Sequence, residues 1–262
     1  MKLFGSDYDG TFYKHENRGE NELAENIAAV EKWREAGHLF AFATGRSIGE
    51  MAYDRIINHI TFDYLVGLNG GIIINHKDEV MFRALIEPSV ASEIVDLIQA
   101  RNFGRLSVTD GFKGHYPIAL FEGEYAESLA QYPEIVANFS LTLEEALANP
   151  VAMIALSTAN TEEAVAFATL VNETFAGQVT AFANLQHVDI AAAGTSKATG
   201  LEYVAKRYSI DKNNVFGMGD SYNDVPMLEN FNGFTLPEAN DEIKSFADNV
   251  YETVAAAIKD VI

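Results

Sequence analysis

The stretch Lys2-Leu3-Phe4-Gly5-Ser6-Asp7-Tyr8-Asp9-Gly10-Thr11 sets a short apolar run directly before two aspartates spaced by one residue. Lys2 to Ser6 reads as a β-strand ending at Asp7, and open parallel sheets place their ligand sites at such strand ends. Residues two apart on an extended segment point the same way, so Asp7 and Asp9 can face one site. Two carboxylates held that close repel, and a hard cation such as Mg²⁺ is the usual remedy because it prefers oxygen ligands. An acidic turn bent at Gly10 would use the same letters, so the rest of the chain has to decide.

Working outward, Leu23, Ile27, Val30 and Trp33 recur at helical spacing, Gly37 supplies a stop, and His38 to Ala43 reads as a second strand. Ser47 can cap a helix running towards Asn58, and Tyr64 to Gly67 is a third short strand. Ile72 to Asn75 and Val80 to Phe82 flank a polar turn. A similar rhythm returns late in the chain: a helix over Ser196 to Tyr208, a strand over Asn214 to Met218, a helix near Asp224 to Glu229 and a last one ending near Ile262. Alternation of this kind predicts an α/β fold with a parallel sheet covered by helices on both faces.

Between these halves the texture changes. A helix at Ser89 to Ala100, a strand at Leu106 to Thr109, and further elements at Val151 to Ser157, Thr161 to Phe175 and Gln178 to Ala183 occupy a segment far longer than an ordinary loop. Residues 83–185 read as an inserted lid, leaving residues 1–82 and 186–262 as the core.

A second acidic cluster, Gly219-Asp220-Ser221-Tyr222-Asn223-Asp224, follows the strand over Val215 to Met218. If that strand neighbours the first, four carboxylates converge, an arrangement that is costly without a metal. One of Asp220 and Asp224 is expected to cap the next helix and the other to bind metal. Thr44-Gly45-Arg46 ends the second strand ahead of a helix start, where a hydroxyl and backbone N–H groups can hold an anion. Lys197 opens a helix, a place that disfavours a cation unless an anion sits there.

Other chemistries fall away. Gly217-Met218-Gly219 begins a dinucleotide fingerprint but has Tyr222 at its last glycine position. No Gly-x-Ser-x-Gly elbow occurs, and the six histidines form no His-x-x-x-His pair. The absence of cysteine excludes disulfides, thiolate zinc sites and cysteine nucleophiles. A formal net charge of -20 disfavours nucleic acid and anionic membranes as partners and points to a small molecule. An acidic residue as early as Asp7 leaves no room for a signal peptide's apolar stretch, and no run reaches the roughly 20 apolar residues of a membrane span. The expected location is the cytoplasm, as a monomer or homodimer.

Taken in order, Asp7-Tyr8-Asp9-Gly10-Thr11, Thr44-Gly45-Arg46, Lys197 and Gly219 to Asp224 resemble the four motifs of the haloacid dehalogenase superfamily phosphatases. The run Leu68-Asn69-Gly70-Gly71 resembles the Cof-type branch, which has a large α/β cap. The resemblance implies a Rossmann-like core with an inserted smaller α/β cap and a phosphatase acting on phosphorylated small metabolites, sugar phosphates foremost. It also implies roles: Asp7 attacks phosphorus, Asp9 serves as acid and then base, and Thr44 and Lys197 hold phosphoryl oxygens. Gly45, Arg46 and Asn223 would assist phosphate binding, and Mg²⁺ would be held by Asp7, Asp9 and Asp220, with Asp224 direct or indirect. The second aspartate favours phosphate-ester hydrolysis over carbon–halogen chemistry, because an alkoxide leaving group needs a proton. A phosphomutase is the competing enzyme reading and a silent phosphate-binding protein the non-enzymatic one. Phe12, Gly5-Ser6 and Asp189 depart from the family pattern, and His115, Tyr116, Lys113 and Arg105 are polar candidates in the lid.

Overall fold

Thirteen strands form among the residues that the computed structural model describes, namely 1–14, 19–117 and 127–262. In chain order they are β1 (Leu3–Ser6), β2 (Leu39–Ala43), β3 (Tyr64–Gly67), β4 (Ile72–Asn75), β5 (Val80–Arg83), β6 (Gly104–Thr109), β7 (Gly114–His115), β8 (Met153–Ser157), β9 (Val179–Asn184), β10 (His187–Ala192), β11 (Val215–Met218), β12 (Asn232–Thr235) and β13 (Asn249–Val250). They build two sheets, ordered β13-β12-β11-β1-β2-β3-β4-β5 and β7-β6-β8-β10-β9.

The first sheet is parallel from β13 to β3 and turns antiparallel at β4. Its two faces follow from the alternation of side chains along each strand. Leu3, Ala41, Ala43 and Val66 pack with Leu201 and Val204 of the helix Lys197–Arg207. Phe4 points the other way, where its ring meets Trp33 edge-on at 5.9 Å and stacks on Phe40 and Phe216. Trp33 belongs to the helix Gly19–Glu35 and is fully buried. Apolar matter on both faces is what a central parallel sheet requires.

The second sheet is antiparallel and mostly one-sided. Val108, Ile154, Leu156, Val188 and Ile190 face one way, onto the helices Pro88–Ala100 and Thr161–Thr174. The predicted lid elements are therefore present, with the helix beginning one residue earlier at Pro88.

The chain divides into two units: residues 1–44, 60–82 and 196–262, and residues 45–59 and 83–195. Two boundaries differ from the sequence reading. The sequence reading begins the returning core at residue 186, but β10 pairs with β8 and β9 in the second sheet, so the return comes at Ser196. The helix Ile48–Ile57 also groups with the second unit. Ile48 N–H donates to the Gly111 carbonyl at 2.8 Å, and the Tyr116 hydroxyl donates to Ser47 at 3.1 Å. Tyr53 packs with Tyr116, Leu129, Ile135 and Phe139. Among the described residues no helix is long and apolar enough to cross a membrane.

Candidate active site

β1 and β11 are direct neighbours, with Ser6 level with Met218, so the two acidic segments leave the sheet side by side. The Asp7 N–H donates to the Met218 carbonyl at 2.8 Å and ties the first aspartate to the end of β11. The chain then turns back, Phe12 N–H reaching the Tyr8 carbonyl at 3.1 Å. Gly10 makes that turn with φ +83°, and a Cβ there would lie 2.9 Å from an oxygen of Asp220. Glycine is needed for both backbone conformation and space.

One ligand atom from each of Asp7, Asp220 and Asp224 lies within 4.8 Å of the others. Lys197 stands among them: its ammonium donates to Asp7 Oδ1 and to Asp224 Oδ1, each at 2.7 Å. The lysine is 1% exposed and Asp224 fully buried. Lys197 follows the cap Ser196, whose hydroxyl accepts from Thr199 N–H, so it occupies the first turn of its helix. The anion that dipole logic demands there is supplied twice over.

Asp224 is saturated. Its second oxygen accepts from the backbone N–H groups of Asp220 and Ser221 at 3.1 and 3.0 Å, closing a capping box with Ser221 over Tyr222–Asp224; it makes no side-chain cap to the helix Val225–Asn230, which corrects the capping role expected of one of the pair. Asp220 keeps a different environment. Its Oδ1 accepts from the Thr11 hydroxyl at 2.6 Å and its Oδ2 from Ser221 Oγ at 3.3 Å. Asp9 contributes to the negative field at Asp7.

Burial pushes the Asp7 carboxyl well above the usual carboxylate range; Lys197 pulls it down, and Asp224, Asp220 and Asp9 push it further up. Asp220 is raised by burial and by Asp224. Burial alone would lower Lys197, but Asp224 and Asp7 outweigh it and hold the ammonium above the ordinary lysine range. All three shifts have one origin: three carboxylates share one ammonium in an interior that solvates charge poorly. An oxygen-seeking divalent cation fits this donor set: Asp224's oxygens are held by the Lys197 ammonium and two backbone N–H groups, whereas those of Asp220 are met by hydroxyls alone.

The remaining predicted residues are placed as follows. Thr44 is buried just beyond β2, the strand beside β1, and so lies at the same carboxyl edge. Gly45 and Arg46 fall in the second unit, where Arg46 is paired with buried Asp54. Asn223 donates through Nδ2 to Asn69 Oδ1 at 3.0 Å. Sequence reasoning gave no role to Thr11, which anchors Asp220, or to Asn69. A hydroxyl two residues after Asp9 was in plain sight, but its partner lies 209 residues away.

A family model described as haloacid dehalogenase-like hydrolase matches residues 4–262. A 5-amino-6-(5-phospho-D-ribitylamino)uracil phosphatase of Bacillus subtilis is 23% identical over 99% of this chain and 95% of that protein. A haloacid dehalogenase-like hydrolase from B. subtilis superposes with a TM-score of 0.82 at 20% identity, covering 100% of both chains. A subclass IIB sugar phosphatase of the same superfamily gives 0.75 at 20% identity, covering 100% of this chain and 96% of that one. With the family model spanning both acidic motifs, the lysine and the whole insertion, the chain belongs to the haloacid dehalogenase-like hydrolases.

Proposed function

We propose that this hydrolase is a Mg²⁺-dependent phosphatase that transfers the phosphoryl group of a small metabolite first to Asp7 and then to water. The observation that carries the proposal is the Asp7 carboxylate, 5% exposed at the end of β1 and hydrogen-bonded to Lys197, with Asp220 and Asp224 beside it. An Asp7 oxygen attacks phosphorus while the bond from phosphorus to the leaving oxygen breaks, and Asp9 protonates that oxygen. Asp9 then takes a proton from water, whose oxygen attacks phosphorus; inorganic phosphate departs and Asp7 regains its carboxylate.

Lys197 offsets part of the burial that favours the protonated form of Asp7 and aims its carboxylate, and Asp224 keeps Lys197 in place through its own two backbone anchors. Thr44 meets phosphoryl oxygens from the neighbouring strand end. Asp7 and Asp220 would hold Mg²⁺, with the Asp9 backbone carbonyl as a further ligand and Thr11 fixing the Asp220 carboxylate. The ion, when bound, supplies positive charge to the phosphoryl oxygens as negative charge builds on them. The second unit supplies substrate recognition, and the likeness to a sugar phosphatase favours sugar phosphates as the class. The expected location is the cytoplasm.

Hydrolysis of p-nitrophenyl phosphate and a sugar-phosphate panel, with Mg²⁺ or EDTA, tests this. Release that requires Mg²⁺ and disappears in Asp7→Asn is expected. Release that persists in folded Asp7→Asn would sink the covalent route.

A further inference from the structure

Between β3 and β4, three consecutive residues adopt the left-handed region, with φ of +52° at Leu68, +50° at Asn69 and +93° at Gly70. Glycine enters it freely and asparagine tolerates it, but leucine meets steric resistance. Such a conformation persists only where its surroundings impose it. Here the surroundings belong to the residues that carry the chemistry. The Asn69 N–H donates to the Thr44 carbonyl at 2.9 Å. Gly70 lies so close to Ser196 that a Cβ would come within 2.1 Å of the Ser196 carbonyl oxygen, one residue before Lys197. The Asn69 side-chain oxygen, 1% exposed as a residue, accepts from Nδ2 of Asn223, one residue before Asp224.

One loop thus braces the segments that carry Thr44, Lys197 and Asp224. The Asn223 amide leaves a trace of purpose: its carbonyl oxygen is buried without a hydrogen-bond partner. An interior acceptor left open in this way is uncommon and calls for a donor that folding alone does not provide.

We propose that Asn69 is a positioning residue of the phosphatase site: it locks the Asn223 carboxamide in one orientation, so that the open carbonyl oxygen receives a hydroxyl donor when substrate binds. This rests on the phosphatase reading above. The donor is either a hydroxyl of the substrate or a water accompanying the phosphoryl group, and both present the same O–H chemistry.

Asn69→Gly removes the carboxamide while keeping a residue at ease with φ +50°, and Asn69→Asp keeps the accepting oxygen. Asn69→Gly is expected to lower kcat/KM about tenfold, the effect of one lost hydrogen bond, with most activity regained in Asn69→Asp. In an Asn223→Ala background the same glycine substitution should cost nothing further. A loss confined to sugar phosphates assigns the donor to a substrate hydroxyl; an equal loss on p-nitrophenyl phosphate assigns it to water. By NMR, the Asn223 side-chain amide resonances should move to solvent-averaged positions in Asn69→Gly. Wild-type kinetics in Asn69→Gly, losses that simply add in the double variant, or unmoved Asn223 resonances would overturn the proposal. A wild-type protein inactive on every phosphate ester would instead defeat the phosphatase reading, and the NMR comparison would still decide the carboxamide contact.

Discussion

Replacing Lys197 with methionine keeps an unbranched side chain one atom shorter and removes the charge. Asp7 and Asp224, each 2.7 Å from that ammonium in the native protein, would then face each other in the interior with no counter-charge. Breaking a buried pair by deleting one partner costs about 3–5 kcal/mol, because the remaining charge is left desolvated. With a urea slope of roughly 2 kcal/mol per molar, the midpoint should fall by about 2 M. The single tryptophan, Trp33, is buried in the first unit, so its fluorescence reports the unit that holds the cluster.

The pH dependence gives a sharper test. Without Lys197, whose charge lowers both, the folded-state pKa values of Asp7 and Asp220 rise further above the unfolded carboxylate range, so the folded variant binds more protons than the unfolded chain there. The deficit relative to wild type should therefore be largest near neutral pH and shrink as pH falls through the raised pKa values. A midpoint shift below about 0.5 M at neutral pH, or a deficit that grows on acidification, would refute the reasoning.

Gly10→Ala should lose about 1–3 kcal/mol of stability and weaken Mg²⁺ activation, since its methyl group would meet Asp220 in a left-handed turn; urea melts and Mg²⁺ titrations of activity check both. Adding Mg²⁺ to EDTA-treated protein should stabilise it by roughly 2.7 kcal/mol at about 100 times the dissociation constant, and Asp220→Asn should remove most of that gain in a thermal melt. Burial, then neighbouring positive charge, lowers the pKa of His38 and His187 below 6.5. The unfolded chain binds more protons than the folded one below that value, so stability should decline as pH falls from 6.5 through the folded pKa values. A Tm profile in which His187→Gln leaves that slope unchanged would remove this residue from the account.

Much of the secondary structure was legible because its signals are local. The cap at Ser47 is a complete capping box with Glu50, and β3 and β4 fall on the runs that their apolar letters mark. The acidic motifs were legible as strand-end clusters, and the adjacency of β1 and β11 brings them together. The hairpin joining β9 to β10 was not. Its turn uses Leu185 at φ +51° rather than the Asn-Gly or Gly letters that usually announce such a turn, and a strand's alternation does not name its partner. The grouping of the helix Ile48–Ile57 was hidden for a related reason: the partners of Tyr53 run from Tyr116 to Phe139, far along the chain. Arg46 reads as a free cation beside a strand end, whereas its charge is shared with Asp54, a contact eight residues away that composition does not reveal.

The division of the chain also bears on transplantation. Exchanging residues 83–195 for a relative's insertion, to borrow its substrate range, would strip Tyr53 of Tyr116, Leu129, Ile135 and Phe139 and remove the Gly111 carbonyl that receives Ile48. A graft that preserves packing has to carry residues 45–59 as well, as two pieces spliced at four joints. Two of those joints adjoin Thr44 and Ser196, the latter next to Lys197, so a poorly made splice would register first as lost activity.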